Sequence, residues 1–155
     1  MANTNNIIQW NCRGVNANFE ELTLLVDEYK PVAICLQETF LKHDSFSFKN
    51  HSCYHKVSNV GEKACGGVSL IINNSVPHRL LTLNTSLQAT AVSLSLNKTV
   101  TICSLYLPPS LPIDSNKLDE LIAQLPRPFI LTGDFNSHST LWGCKYTNPK
   151  GRQME

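Results

Sequence analysis

The stretch "FILTGDFNSHSTLWG", Phe129–Gly143, combines a strand pattern with a dense group of polar side chains. Its apolar and β-branched start predicts a buried strand that runs into Gly133. Asp134, Asn136 and His138 follow within five positions. Ligands of α/β folds gather outside the carboxyl ends of strands, where the backbone leaves the core. We therefore expect this strand to deliver polar groups to a functional site.

Length and composition are those of a globular domain. The chain has 155 residues, of which 42% are hydrophobic and 16% charged. This length suits one domain, and this balance is not that of a disordered chain. No apolar run is long enough to span a membrane, and "MANTNNIIQW" is not a secretory signal. We expect a nuclear or cytoplasmic protein that is not secreted.

The cysteine spacing and the net charge bear on zinc binding, thiol redox state and nucleic-acid binding. None of the six cysteines forms a CxxC pair, which argues against a zinc ribbon. Without a secretory signal we expect reduced thiols that pack as small hydrophobic groups. The formal net charge of +1 gives no bulk support for nucleic-acid binding.

The first half of the chain alternates strand and helix patterns. "NIIQWNCRG" indicates a strand from Ile7 to Cys12 that ends in a glycine turn. Asn18 is a candidate helix cap, and Pro31 closes the helix that follows. "VAICLQE" is a near-continuous apolar run, typical of a strand buried on both faces. "CGGVSLIIN" predicts a further strand.

The second half continues with strands, a helix and a strand. "TAVSLSLNKTVTICSLYLPP" predicts two strands, with "NK" as the turn between Leu96 and Thr99. "SNKLDELIAQLP" predicts a helix capped by Ser115 and ended by Pro126. "RPFILTGDF" predicts another buried strand. The order indicates a mixed α/β domain in which sheet packs on sheet with helices outside.

Polar residues end each apolar strand, and their chemistry suits a hard cation. Carboxylate and amide oxygens bind Mg²⁺, which takes one or two carboxylates and completes its shell with water and substrate phosphate. Mn²⁺ is the second candidate ion. Such an ion would polarise a phosphoryl oxygen and neutralise charge on the leaving oxygen. The strand-end residues are Asn11, Gln37, Glu38, Tyr106, Asp134 and Asn136.

Each candidate also has an ordinary structural interpretation. Asn11 is a common turn former, and Glu38 could open a helix. Tyr106, before two prolines, could simply pack its ring. Gly-Asp-Phe-Asn could be only a turn, and His138 could bond locally in a loop. Spacing alone does not show that these strand ends meet.

Taken together, the motifs resemble a known family. The segments "IIQWNCRG", "VAICLQET", "GGVSLIIN", "ICSLYLPP" and "FILTGDFNSHSTLWG" are similar, in order and spacing, to the DNase-I-like endonuclease/exonuclease/phosphatase superfamily. More closely, the sequence resembles the amino-terminal endonuclease of jockey-like non-LTR retrotransposon polyproteins. "QET" and "GDFN" are specific as a pair. The resemblance implies two mixed sheets packed face to face with outer helices, a four-layer α-β-β-α sandwich.

The resemblance also implies a role for each residue at the site. Glu38 would be the main metal-binding carboxylate, with Asn11 beside it at the metal and phosphate. Tyr106 would contact the scissile phosphate. Asp134 would align or deprotonate the attacking water, and Asn136 would bind the phosphate in the transition state. His138 would support phosphate or DNA binding rather than act as the base.

The implied reaction is Mg²⁺-dependent nicking of double-stranded DNA, which leaves a 3′-hydroxyl that primes reverse transcription. A reverse transcriptase normally follows on the same polypeptide, and no membrane is involved. The family pattern continues with two strands and a Ser-Asp-His segment, which this sequence does not contain. We therefore expect residues 1–155 to be an incomplete endonuclease domain, truncated at its carboxyl end, with impaired activity.

Two alternatives remain open at this point. The chain could be a non-catalytic remnant that binds DNA or a partner without cutting. It could also be a phosphoesterase of the same superfamily that acts on a phospholipid. The near-neutral charge permits the phospholipid substrate, and "SHSTLWG" argues against it.

Overall fold

The protein folds as two four-stranded mixed sheets packed face to face, in a computed structural model that describes residues 5–43, 45–58 and 65–155. The first sheet has the order β1-β2-β4-β3. Its strands are β1 (Ile7–Asn11), β2 (Ala33–Gln37), β3 (His51–Lys56) and β4 (Val68–Asn73). The second sheet has the order β5-β6-β7-β8. Its strands are β5 (His78–Leu81), β6 (Gln88–Ser95), β7 (Thr99–Tyr106) and β8 (Phe129–Asp134).

A parallel strand pair brings the polar strand ends side by side in each sheet. β1 pairs with β2 in parallel, and Asn11 lies opposite Gln37. β7 pairs with β8 in parallel, and Tyr106 lies opposite Asp134. The other strand pairs are antiparallel. Parallel pairing places the carboxyl ends of both strands at the same edge of the sheet, so the polar residues that end them lie together.

Side-chain alternation along the strands divides the interior into three apolar clusters. Alternate residues of β2 and β4 meet those of β6 and β7 between the sheets. The opposite face of the first sheet packs on helix α1 (Phe19–Tyr29). The outer face of the second sheet packs on helix α2 (Ser115–Ala123). This arrangement confirms the predicted sandwich of two sheets with outer helices.

Three cysteines take part in this packing as small hydrophobic groups. Cys12, Cys35 and Cys103 are at most 2% exposed. Burial raises the pKa of Cys35 and of Cys103 to about 12. These thiols therefore stay protonated and are poor nucleophiles.

The predicted buried character of the last strand is wrong. β8 lies at the edge of its sheet, and Ile130 is 43% exposed. The apolar run is explained by its other face, since Phe129 and Leu131 pack on the α2 cluster. An edge strand covered on one face needs an apolar residue only at alternate positions, so the continuous run overstated burial.

The helix caps differ in part from the sequence prediction. Asp114 caps α2, because its carboxylate accepts a hydrogen bond from the Asn116 N–H at 3.1 Å, and Ser115 is the first helical residue. Asn18 does occupy the cap position of α1. Its side chain makes no capping hydrogen bond to the helix and instead donates to the carbonyl oxygen of Cys12 at 2.7 Å.

The sequence prediction missed several elements and located one turn correctly. β3 and β5 carry histidines, lysine and arginine at a sheet edge and show no apolar run. A short 3-10 helix (Thr140–Trp142) and helix α3 (Pro149–Met154) follow β8. The hairpin predicted at Asn97-Lys98 is present between β6 and β7. Within the described ranges, no helix is both long and apolar enough to cross a membrane.

Gly133 in the quoted stretch allows β8 to lie tightly against β7. A Cβ atom at Gly133 would lie 1.8 Å from the carbonyl oxygen of Leu105, and its φ is +156°. We expect Gly133→Ala to lower the free energy of unfolding by at least ~2 kcal/mol, because β7 backbone must move. Denaturant unfolding measures the change.

Gly143→Ala is the matched control for this prediction. Gly143 also has a positive φ, of +83°, but no atom lies within 4 Å of the position its Cβ would take. Its substitution therefore carries only the backbone strain, roughly 1–2 kcal/mol. Equal losses in the two variants would show that the contact with Leu105 is not the constraint.

Candidate active site

The two sheets are joined at the site by one side-chain amide. The Asn11 amide nitrogen donates to Glu38 Oε1 at 2.9 Å and to Asp134 Oδ2 at 2.7 Å. Asn11 and Glu38 belong to the first sheet and its following loop, and Asp134 ends the second sheet. The structure thus brings together three residues that are far apart in the sequence.

A left-handed backbone turn directs Glu38 towards this amide. The φ of Glu38 is +52°, so the chain turns sharply as it leaves β2. The Gly14 N–H donates to the Glu38 carbonyl oxygen at 2.7 Å, and the Thr39 N–H donates to the Gly67 carbonyl oxygen at 3.3 Å. Bonds from two separate loops therefore hold a conformation that a non-glycine residue adopts only at a cost.

A buried polar network lies directly beneath the site. Gln37 is fully buried, and its amide nitrogen donates to Ser104 Oγ at 3.0 Å across the sheet interface. Gln9 donates to Gln37 Oε1 at 2.5 Å. Ser104 in turn donates to the Leu36 carbonyl oxygen at 3.3 Å. Buried polar groups need such partners. Here the bonds fix how the two sheets are aligned with each other directly below Asn11.

Tyr106 is hydrogen-bonded to Glu38, feels the charge of Asp134 and remains neutral. Burial, the charge of Glu38 and a hydrogen bond to Glu38 raise the pKa of Tyr106 to about 12, with a smaller contribution from Asp134. A phenol next to two carboxylates loses its proton less readily, because a third negative charge would form there. Tyr106 is therefore a hydrogen-bond donor at physiological pH.

Asn136 is held beside Asp134 in a left-handed conformation, with a φ of +46°. Its backbone N–H donates to Asp134 Oδ1 at 3.0 Å. Its side-chain nitrogen donates to the Leu107 carbonyl oxygen at 3.0 Å, which uses one of its two hydrogens. The second hydrogen can serve a ligand.

His138 and Trp142 lie further along the loop. The His138 ring stacks on Tyr146 with centroids 5.1 Å apart, and none of its recorded hydrogen bonds reaches Glu38 or Asp134. The Trp142 indole N–H donates to the Ser137 carbonyl oxygen at 3.2 Å, as expected for an aromatic that anchors the loop. The expected role of His138 in phosphate or DNA binding stays a prediction.

A cleft of about 630 Å³ opens beside Asn11, Asp134 and Asn136, whereas Glu38 and Tyr106 are not among the residues that line it. It runs along the edges of both sheets, where β1 and β8 lie side by side. The residues that line it are Gln9, Asn11, Gly133, Asp134, Phe135, Asn136, Ser137, His138, Trp142 and Met154.

The donor atoms of the site fit a hard divalent cation. The Asn11 side-chain oxygen is buried and accepts no hydrogen bond from the described part of the chain. Among the residues that the structure describes, neither Glu38 nor Asp134 forms an ion pair. A buried oxygen without a donor beside two carboxylates without an ion-pair partner is the environment that an oxygen-binding cation relieves.

Two carboxylates and one amide meet at the site. Within the described ranges, no group of three or more His, Cys, Asp or Glu side chains suited to a metal occurs. Mg²⁺ takes one or two carboxylates and completes its shell with water and substrate phosphate. Glu38 and Asn11 are the residues here that could hold it.

Two residues at the start of α3 contact the site, and the sequence prediction missed both. The Asn148 side chain donates to the Asn136 carbonyl oxygen at 3.2 Å and accepts from the His138 N–H at 3.1 Å. Lys150 is only 7% exposed, and its ammonium donates to the Pro108 carbonyl oxygen. Asn148 before Pro149 is a helix-start pattern that could have revealed α3.

Two mixed sheets with amide and carboxylate groups at one end of the sandwich define a DNase-I-like phosphoesterase fold. The chain belongs to the Endonuclease/Exonuclease/phosphatase family, whose sequence profile matches residues 8–154.

Relatives by sequence are retrotransposon polymerases. The chain is 27% identical over 150 residues to the RNA-directed DNA polymerase from mobile element jockey of Drosophila melanogaster. It is 24% identical over 150 residues to the probable RNA-directed DNA polymerase from transposon X-element of the same organism. Each match covers 94% of this chain and spans only 16% of the relative.

Solved structures share the fold. The endonuclease domain of TRAS1, a telomere-specific non-LTR retrotransposon, superposes with a TM-score of 0.74 at 22% identity and covers 96% of this chain and 68% of that chain. The Xenopus laevis APE2 catalytic domain gives a TM-score of 0.67 at 21% identity, over 96% of this chain and 66% of that one.

Removing the Glu38 charge should lower the pKa of Tyr106. In Glu38→Gln, the repulsive charge is lost and the bond to a carboxylate disappears, so we expect the Tyr106 pKa to fall from about 12 towards its ordinary value near 10. Burial remains and keeps it above that value. The titration is measured by tyrosinate absorbance, with Tyr106→Phe identifying the Tyr106 component.

Glu28→Gln is the matched control, because Glu28 hydrogen-bonds to Tyr29 and raises the pKa of that exposed tyrosine. It should shift only the Tyr29 component. A Tyr106 titration that is unchanged in Glu38→Gln would contradict the described contact between Tyr106 and Glu38.

Proposed function

We propose that this chain is the endonuclease module of a non-LTR retrotransposon polyprotein and that it nicks double-stranded DNA with Mg²⁺. The observation that carries the proposal is the Asn11 amide, which bonds to both Glu38 and Asp134 at the edge of an open cleft that Asn11 and Asp134 line. The similarity to jockey and X-element polymerases supports the retrotransposon context and a fused reverse transcriptase.

The residues of the site divide the reaction between them. Glu38 and Asn11 hold the ion, which when bound supplies Lewis-acid polarisation of a phosphoryl oxygen. Asp134 orients the attacking water and accepts its proton. Asn136, through its second amide hydrogen, and Tyr106, through its phenol, donate hydrogen bonds to phosphate oxygens.

The proposed nicking reaction has the following bond changes. The water oxygen bonds to phosphorus and gives a proton to Asp134, the bond from phosphorus to the 3′ oxygen breaks, and the 3′ oxygen takes up a proton from solvent, to which Asp134 returns its own. The products are a 3′-hydroxyl, which a reverse transcriptase can extend, and a 5′-phosphate. The reaction acts on chromosomal DNA, so the proposal includes action in the nucleus.

A supercoiled plasmid tests the activity. We expect Mg²⁺-dependent conversion to the nicked circle, abolished by a chelator. Glu38→Ala and Asp134→Asn should each lower the rate by roughly 10²-fold or more, because each removes a group that acts on the reacting phosphate. The measurement is the initial nicking rate on gels.

Glu120→Ala is the matched control, since Glu120 is an exposed carboxylate on α2. It should nick at the wild-type rate. Nicking that survives Glu38→Ala would come from a contaminant and would contradict the proposal. Retained DNA binding without any nicking would support the alternative of a non-catalytic remnant.

The Ser-Asp-His segment of the family pattern, which residues 1–155 do not contain, gives a second prediction for the proposed nicking activity. A chain extended by a family segment containing Ser-Asp-His should nick faster than residues 1–155, by roughly 10²–10⁴-fold, because a positioned acid–base group is added. Equal rates of the two chains would refute this expectation.

A further inference from the structure

We propose that Asn148 and Lys150, at the start of α3, are positioning residues that hold Asn136 in its phosphate-binding orientation. The inference rests on the proposed function of Asn136 and adds residues that the family motifs of this sequence did not identify. Asn148 bonds to the backbone of Asn136, and Lys150 bonds to Pro108, the residue after the one that accepts the Asn136 side-chain amide.

Asn148 holds the backbone around Asn136. Its side-chain nitrogen donates to the Asn136 carbonyl oxygen at 3.2 Å. Its side-chain oxygen accepts from the His138 N–H at 3.1 Å and from the Gly151 N–H at 2.6 Å. The Asn148 backbone N–H also donates to the His138 carbonyl oxygen at 2.9 Å. One side chain thus connects the loop after Asp134 to the first turn of α3.

α3 packs against this loop without any free space. A Cβ atom at Gly151 would lie 1.8 Å from the His138 carbonyl oxygen. The contact leaves the helix start no room to slide along the loop. The hydrogen bonds of Asn148 therefore fix the position of Asn136 as well as its orientation.

Lys150 supports the segment after β7 that accepts the side-chain amide of Asn136. Its ammonium donates to the Pro108 carbonyl oxygen, and the preceding residue, Leu107, accepts the side-chain amide of Asn136 at 3.0 Å. Lys150 is 7% exposed, and burial lowers its pKa while the charge of Asp134 opposes that change. Burying an ammonium group with a carbonyl oxygen as its hydrogen-bond partner costs free energy. A role in positioning Asn136 explains why a lysine is present there.

This bracing matters because Asn136 has a left-handed backbone, with a φ of +46°. An unsupported residue there would relax to other conformations and swing its amide away from the phosphate. The second amide hydrogen points correctly only while Leu107 holds the first.

The first test reads the Asn136 amide directly and needs no activity. The full isotope-labelled chain is used, and the Asn136 side-chain resonance is identified by its loss in Asn136→Asp. Asn148→Asp keeps the acceptor oxygen for His138 and Gly151, replaces the donor to Asn136 by a carboxylate oxygen and adds a negative charge. Lys150→Met keeps the buried volume and removes the ammonium. Both variants should shift this resonance while the melting temperature changes by only a few degrees.

The second test separates turnover from binding in the nicking assay. Both variants should lower kcat by roughly 10- to 100-fold, as a misplaced group does, with KM unchanged. Lys150→Arg, which keeps the charge and the donor, should recover most of the rate. Lys145→Met, at an exposed lysine of the same loop, should match the wild type in both tests.

An unmoved Asn136 resonance in Asn148→Asp and Lys150→Met would overturn the proposal. A rate loss seen only in KM, or one that follows the melting temperature, would also overturn it. If the wild-type chain does not nick, the proposed activity of this chain fails, and the amide resonance alone then decides whether the bracing exists.

Discussion

The molecule depends on one nitrogen atom, the Asn11 amide nitrogen, which carries hydrogen bonds to two carboxylates from different sheets. Two like charges brought to one place repel each other strongly when water is partly excluded. A neutral amide with two hydrogens offers each carboxylate one bond and adds no charge of its own. A lysine would neutralise the pair and compete with a cation, whereas asparagine leaves the charge available to one.

The sandwich architecture makes this meeting possible. Side chains alternate along each strand, so Asn11 and Asp134 face the inside of the sandwich at the ends of adjacent edge strands. The Gln37–Ser104 bond sets the spacing between the sheets one layer below. The apolar clusters supply the stability, and this polar layer supplies the alignment that apolar packing alone does not specify.

The sequence predicts most of the architecture because its central strands carry strong signals. β2, β4, β6 and β7 are apolar, and the turns and helices that join them follow the usual sequence patterns, so the sequence predicts the layered fold. β3 and β5 are not predicted from the sequence, because sheet edges tolerate polar residues and leave no hydrophobic period. The burial of β8 was overestimated, since a continuous apolar run does not distinguish an edge strand from a central one.

The site was predictable only where motif residues end strands. Asn11, Glu38 and Asp134 follow apolar runs, and the structure brings these three together. Asn148 and Lys150 follow no strand and act through carbonyl oxygens, which have no signature in side-chain patterns. Their partners are set by how α3 folds back on the loop, a tertiary relationship that local sequence does not encode.

The left-handed residues around the site have a consequence for the evolution of this domain. Glu38, Phe40 and Asn136 all have positive φ values although none is glycine. Glycine would relieve roughly 1 kcal/mol of backbone strain at Glu38 and at Phe40, and less at Asn136 because asparagine tolerates this conformation, so these side chains oppose selection for thermal robustness. If the proposed nicking of DNA is what retains Glu38 and Asn136, related domains that do not cut DNA are free to accumulate glycine at these two positions and to gain melting temperature.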